Sequence, residues 1–368
     1  MLRRWIRAVL WSCLALLGFW ASTGLYFHLN DQGPWPERTA IAPNGLFASE
    51  TNCYAGGGYD EWMGGLRQRN GSWNPRGWLI SLVFTRSMYE QAAENVDCRF
   101  IRYDSDGYEI PGFVLAPRET HGQRLPVLVF NRGGNAGYGA ITFAFALQFL
   151  APYVEDGFLV VASQYRGLDT ADPEHSGADE FGGREVRDVE KLIALARQHP
   201  NADPNNVFVL GSSRGGMMSF LLARRDHQLR ALATINGDSD LELGLQFRPE
   251  MERVYAARIP DYASNKQSAL AERSVLRWAD ELPKDLPILL IHGGRDQRVD
   301  PQSGARLKAR LDQVGIVNKL VVYPDDDHQL RKHRDESHAE IVAWFNAHRQ
   351  KPQIAEAAYA ASEQPGQP

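Results

Sequence analysis

An α/β fold, with a mostly parallel central sheet and helices on both faces, is what this sequence predicts, and three observations predict it. From Cys98 onward, short apolar runs alternate with longer segments whose apolar residues recur at spacings of three and four. The turn signal Asp106-Gly107 joins the first two runs as a hairpin. The apolar run Val207 to Leu210 then leads through a glycine-rich turn directly into an amphipathic segment.

Taken in order, the hairpin strands are expected over Cys98 to Tyr103 and Glu109 to Ala116. Further strands are expected at Pro126 to Phe130, Phe158 to Ser163, Val207 to Leu210, Ala231 to Ile235, Pro287 to Ile291 and Lys319 to Tyr323. The clearest helical segments are Arg184 to Gln198, Gly215 to Arg225, Gln302 to Val314 and Arg334 to His348. Asp240 to Leu286 is the longest interval between strand runs and predicts partly helical cover over the sheet's edge. No internal repeat is visible.

The chain divides into four parts. Residues 1–30 read as a signal anchor or signal peptide, because Arg3, Arg4 and Arg7 precede an uncharged stretch, Ala8 to Phe27, long enough to span a bilayer. Ala21 and Thr23 offer small residues for cleavage, so both readings stay open. With Asp31 and Glu37 beyond the stretch, the positive-inside rule places the bulk of the chain outside the cytoplasm, membrane-anchored, or secreted or periplasmic if cleaved. Residues 31–97, rich in Gly, Pro, Asn and Trp up to about Gly77, read as irregular linker and cover. Residues 98–350 form the α/β domain, and 351–368 read as a disordered tail.

Of the three cysteines, Cys13 lies in the apolar stretch, which leaves Cys53 and Cys98 either as a disulfide or as two separate thiols. With 43% hydrophobic and 23% charged residues the chain can bury a core. Its net charge of -5, with no basic stripe interleaved by aromatics, argues against a nucleic-acid partner.

The chemistry concentrates at strand ends. Gly211-Ser212-Ser213-Arg214-Gly215 is a Gly-x-Ser-x-Gly turn between strand and helix, where a serine on a strained elbow needs flanking residues without a Cβ. Ser213 is the candidate nucleophile; Ser212 lacks a glycine on both sides at two-residue spacing. A serine hydroxyl needs a base, and the base needs an acid to hold its tautomer. Asp296 follows the apolar run Pro287 to Ile291 and a glycine turn, with Asp300 as substitute. His328 follows the run to Tyr323, and His333 and His338 rank below it because they fall in or beside the last helix. Oxyanion donors are expected from the backbone of Arg214 at a helix N-terminus and of Arg132 and Gly133 in the loop after Phe130. Asp325, Asp326 and Asp327 read as a solvated acidic loop, because zinc or calcium ligand spacings are lacking, and nothing calls for a cofactor.

The order Ser, Asp, His is that of α/β-hydrolases. Four stretches resemble the catalytic domain of the prolyl oligopeptidase family, with dienelactone-hydrolase-like esterases as near relatives. They are Gln164-Tyr165-Arg166-Gly167; Asp179 to Gly183 with Asp188; Gly211 to Gly216; and Ile291-His292-Gly293 through Asp296 and Val299. The resemblance implies a serine hydrolase that cleaves peptide amides or small acyl esters through an acyl-enzyme. Three departures bear on substrate. The roughly 100 residues before Cys98 are too few for a propeller with blades of about 40–45 residues each. Arg132 stands where many of those peptidases place a tyrosine, and Gln329 follows His328 where a glycine is usual. The readings carried forward are peptidase first, carboxylesterase second, and a catalytically silent binding domain third.

Overall fold

The computed structural model describes residues 45–67, 80, 84–169 and 173–350. The expected anchor and the expected tail from Lys351 lie outside these; among the described residues no helix is long and apolar enough to cross a membrane. Among the described residues nine strands form one sheet: β1 Ser49–Asn52, β2 Val96–Ser105, β3 Tyr108–Pro117, β4 Leu125–Asn131, β5 Leu159–Ser163, β6 Ala202–Ser212, β7 Ala231–Ile235, β8 Ile288–Gly293 and β9 Asn318–Tyr323. Their spatial order is β1-β2-β3-β5-β4-β6-β7-β8-β9. The first pairings, as far as β3 with β5, are antiparallel, and those from β5 through β9 are parallel.

The hairpin forms where Asp106-Gly107 predicts it, with φ of 53° and 84° at the two turn residues and Ser105 opposite Tyr108. Every residue of β4 is buried. Val127 and Val129 enter one apolar cluster with Val207 and Val209, while Leu128 and Phe130 enter the other with Phe208 and Leu210. That alternation inside continuous apolar runs is what a sheet covered on both faces requires.

The helices with direct bearing on the site are α1 Tyr59–Arg67, α2 Arg86–Asn95, α3 Glu185–Ala196, α4 Arg214–Ala223, α5 Leu241–Phe247, α6 Met251–Arg258, α7 Tyr262–Glu272, α8 Ser303–Val314 and α9 Arg334–Ala347. The interval expected to cover the sheet's edge holds α5, α6, α7 and two shorter turns, and Leu241, Met251, Val254 and Tyr255 from it wall the main cavity.

The segment expected to be irregular cover is not irregular where it is described. β1 pairs with β2, and Met63 and Leu66 of α1 and Tyr89 and Ala92 of α2 bury into the same cluster as Phe143 and Tyr153. Cys53 and Cys98 are disulfide-bonded across 45 residues with Cα atoms 5.4 Å apart, which ties the end of β1 to β2. The domain therefore begins at least at Ser49, ahead of the boundary expected at Cys98. β1, with the sequence Ser-Glu-Thr-Asn, lacks the alternation that marks a strand, and only its pairing to β2 makes it one.

Candidate active site

Ser213 lies between β6 and α4 with φ 55° and ψ -124°, a backbone that a non-glycine residue adopts only when its surroundings force it. Three close approaches supply the force. A methyl group at Gly211 would lie 2.2 Å from the Gly215 carbonyl oxygen, and one at Gly215 would lie 1.9 Å from the Asn131 carbonyl oxygen. One at Gly216 would lie 2.9 Å from Gly237 Cα. These neighbours are backbone and cannot swing aside, so the motif's glycines have a steric reason. The Ser213 N–H donates to Ile235 O at 2.8 Å, which fixes the elbow to the end of β7.

Asp296 is buried and divides its oxygens between two tasks. Oδ1 accepts the main-chain N–H groups of Arg298 at 2.7 Å and Val299 at 3.1 Å. Oδ2 lies 2.6 Å from His328 Nδ1. The loop thus aims the carboxylate, and the carboxylate fixes the imidazole, leaving Nε2 on the ring's opposite edge for proton traffic.

Asn236, which sequence reasoning missed, holds both loops. Its Oδ1 accepts the N–H of Gly293, its Nδ2 donates to His328 O, and both distances are 2.8 Å. It is buried with φ 51°, a conformation that Asn tolerates better than most residues. The Asn236-Gly237 pair just past a strand was the available signal.

The rival residues are otherwise engaged. Asp300 pairs with Arg306 at 2.6 Å, His333 with Asp325 at 2.9 Å, and His338 with Asp156 at 2.6 Å. His292 is buried, and that burial lowers its pKa to about 4. Asp326, expected in a solvated loop, is buried instead, and its Oδ2 accepts the N–H groups of Lys332 and His333 at 3.1 and 2.9 Å.

The loop after β4 meets the serine. A methyl group at Gly133 would lie 3.1 Å from Ser213 Cβ and 3.7 Å from its Oγ, so the backbone at Gly133 touches the elbow. Arg132 turns its side chain into the interior. Its guanidinium donates to the carbonyls of Gln164, Gly133, Tyr138 and Ala136, at 2.7 Å for Gln164 and Ala136. With no carboxylate partner in reach, burial lowers its pKa to about 10. The Arg132 side chain is therefore a clamp on the loop's shape, and what its position offers to the site is backbone.

Arg214 is the first residue of α4, and its side chain is nearly inaccessible between two carboxylates. Nη1 donates to Asp179 Oδ2 at 2.7 Å and Nη2 to Glu185 Oε1. Burial pushes both acids upward. At Asp179, the charge and hydrogen bond of Arg214 and two main-chain N–H groups outweigh it and bring the pKa to about 2. At Glu185, burial prevails and the pKa stays raised. Glu185 also accepts the N–H of Gly183 at 3.1 Å, so the triad anchors the glycine turn at Gly182-Gly183 to the helix that starts beside Ser213.

Ser213, His328, Arg132, Gly133 and Arg214 line one cavity of about 660 Å³. Residues of α5 and α6, Phe181, Met217, Phe130, Phe145, Phe149, Tyr153 and Leu330 also line it. Asp296 stands behind His328, outside that lining. A concave, largely apolar site with a few converging polar groups suits a small or short-chain substrate.

The model of the prolyl oligopeptidase family matches residues 142–352. The uncharacterized peptidase YtmA of Bacillus subtilis is 26% identical over 234 residues, which cover 63% of this chain and 86% of that protein. The inactive dipeptidyl peptidase 10 of Mus musculus is 22% identical over 249 residues, covering 66% of this chain and 30% of its own length. Among solved structures, an acylaminoacyl peptidase of Pyrococcus horikoshii superposes with TM-score 0.61 at 19% identity, covering 74% of this chain and 46% of that one. That likeness shows a shared α/β-hydrolase fold. The chain spans less than half the length of the latter two proteins.

Proposed function

We propose that this chain, which belongs to the prolyl oligopeptidase family, is a serine peptidase that works through an acyl-enzyme. The observation that carries the reading is the contact of His328 Nδ1 with Asp296 Oδ2 at 2.6 Å, with His328 and the strained Ser213 lining one cavity. Ser213 Oγ attacks the scissile carbonyl while His328 Nε2 takes its proton. Asp296 holds the tautomer and stabilises the imidazolium. The oxyanion is met by main-chain N–H groups at Arg214 and in the Arg132-Gly133 loop. His328 then gives the proton to the leaving amine, and water, deprotonated by the same imidazole, releases the acyl group.

One relative is named as inactive, so likeness alone does not establish turnover. What favours an active chain is that nucleophile, base and acid are all kept and that the base and acid are in contact. An extracytoplasmic location, anchored by residues 1–30 or released from them, is supported by the arginines ahead of the apolar stretch and by the Cys53–Cys98 disulfide, which suits an oxidising compartment.

Short peptide amides and p-nitrophenyl acyl esters assayed side by side test the substrate class. Both are expected to be hydrolysed, with the amides lost on Ser213→Ala. Turnover of esters alone would replace the peptidase reading with a carboxylesterase.

A further inference from the structure

Two carboxylates line the cavity, Asp238 and Asp335. Asp335 is exposed in the first turn of α9. Asp238 is enclosed. It follows Gly237, whose Cα lies against Gly216 in the first turn of α4, and it stands three residues beyond Ile235, whose carbonyl holds the Ser213 N–H. It accepts the main-chain N–H of Asp240 at 3.2 Å.

The cations around Asp238 are held by other acids. Arg248 pairs with Glu250 at 2.8 Å, Arg277 with Asp240 at 3.0 Å and Arg306 with Asp300 at 2.6 Å, while Arg214 lies between Asp179 and Glu185. Met217, Leu241, Met251 and Tyr255 line the same cavity and give it apolar surface. The Gly244 backbone packs directly against one side of the carboxyl, where a methyl group would lie 2.3 Å from Asp238 Oδ2, so the side open to a ligand is the one facing the cavity. A half-buried carboxyl with no cation paired to it in the structure can take one from a ligand that enters the cavity. Apolar walls leading to an acid match the methylene stem and charged head of a basic side chain.

We propose that Asp238 is the floor of an acidic subsite that binds an ammonium or guanidinium group on the acyl portion of the substrate. The inference rests on the hydrolase reading above and narrows its substrate class. Two further lining arginines have partners of their own: Arg298 donates to Tyr138 Oη at 2.9 Å, and Arg334 stacks over Phe149 at 4.5 Å. Arg248, the lining arginine that shares the space of Asp238, is itself paired with Glu250.

The subsite has a pH signature. Burial pushes the Asp238 pKa up to about 7, against the main-chain N–H of Asp240, which lowers it; the Asp240 charge raises it, and the Ser239 N–H and Arg306 lower it. Tyr255 from α6 and Arg248 beyond α5 face the same space. A bound cation favours the ionised form, so below neutrality binding expels one proton to solvent, and the preference for cationic substrates grows as pH rises through about 7.

The test compares p-nitroanilides of acetyl-Lys, acetyl-Arg, acetyl-Leu and unblocked Leu on the wild type and on Asp238→Asn. The wild type is expected to prefer a cationic member over acetyl-Leu in kcat/KM by roughly 10- to 100-fold, the usual range for a hydrogen bond to a charged group. In the variant that ratio falls to near one. Acetyl-Lys and acetyl-Arg report a side-chain cation, and unblocked Leu reports an α-amine. No preference in the wild type, or a preference that survives Asp238→Asn, overturns the proposal.

Calorimetric titration with n-butylguanidinium needs no turnover. Binding with proton release below pH 7, absent in Asp238→Asn and Asp238→Leu, supports the subsite, and no binding to the wild type overturns it. Binding without hydrolysis of any amide or ester would instead defeat the hydrolase reading and leave the subsite standing.

Discussion

His328→Ala is expected to lower kcat by at least about 10³-fold with little change in KM, because triad members act as a unit. A loss of that size is about 4 kcal/mol of transition-state stabilisation. The imidazole is held by the Asp296 carboxylate on one edge and by the Asn236 tether on its main-chain carbonyl, so its removal takes away a proton acceptor that is already oriented. Asp296→Asn should lose a comparable factor, about 10³- to 10⁴-fold, for a different reason. The amide oxygen can keep the N–H groups of Arg298 and Val299, but the amide nitrogen then faces His328 Nδ1 as a donor and selects the wrong tautomer. Steady-state kinetics on one peptide amide read both losses, and a variant retaining a tenth of wild-type kcat would remove His328 from the role of base.

Arg214→Ala is the change expected to cost the most stability, about 3–5 kcal/mol, because it leaves two buried carboxylates without their cation. The contact set explains why no neighbour rescues it: Asp179 and Glu185 are both nearly inaccessible, and both point at the same guanidinium. Adding Asp179→Asn and Glu185→Gln to Arg214→Ala should restore part of the loss, since the uncompensated charges rather than the missing bonds dominate it. Urea midpoints at constant slope measure both effects.

The pH dependence has a definite sign. Asp179 titrates lower in the folded state, at about 2 against the usual carboxylate value near 4. Its stabilising contribution is therefore present above about pH 4 and is lost as pH falls toward 2. Glu185, raised by burial, works in the opposite sense: its proton is bound more tightly in the folded state, so its contribution weakens as pH rises past its unfolded value. An Arg214→Ala protein should accordingly lose much of the acid-range slope that Asp179 contributes.

Legibility in the sequence follows the range of the interactions. Ser213, Asp296 and His328 could be read because each sits just past an apolar strand run, and that placement is a local property of the chain. The hairpin at Asp106-Gly107 and the all-apolar β4 are equally local. Arg132 could be read as a loop position near the oxyanion, whereas its hold on Gln164 O, thirty-two residues away, is a product of folding. The Arg214 pairings with Asp179 and Glu185, 35 and 29 residues apart, are likewise invisible until the sheet brings β6 beside the turn ahead of α3. Nothing in the sequence sets Asp238 apart from its neighbouring acids, and its lack of a paired cation follows only from the partners of the surrounding arginines. The Gly- and Trp-rich segment up to about Gly77 misled in the other direction, because turn-forming composition hid α1 and a strand held by pairing and a disulfide.

The central claim is that the hydroxyl at the elbow is the group the imidazole activates. Treatment with a fluorophosphonate probe, followed by peptide mass analysis, tests it most directly. The account predicts one adduct, on the peptide bearing Ser213, greatly slowed in His328→Ala and absent in Ser213→Ala. An adduct that persists in folded Ser213→Ala protein, or that maps to Ser212, would contradict it.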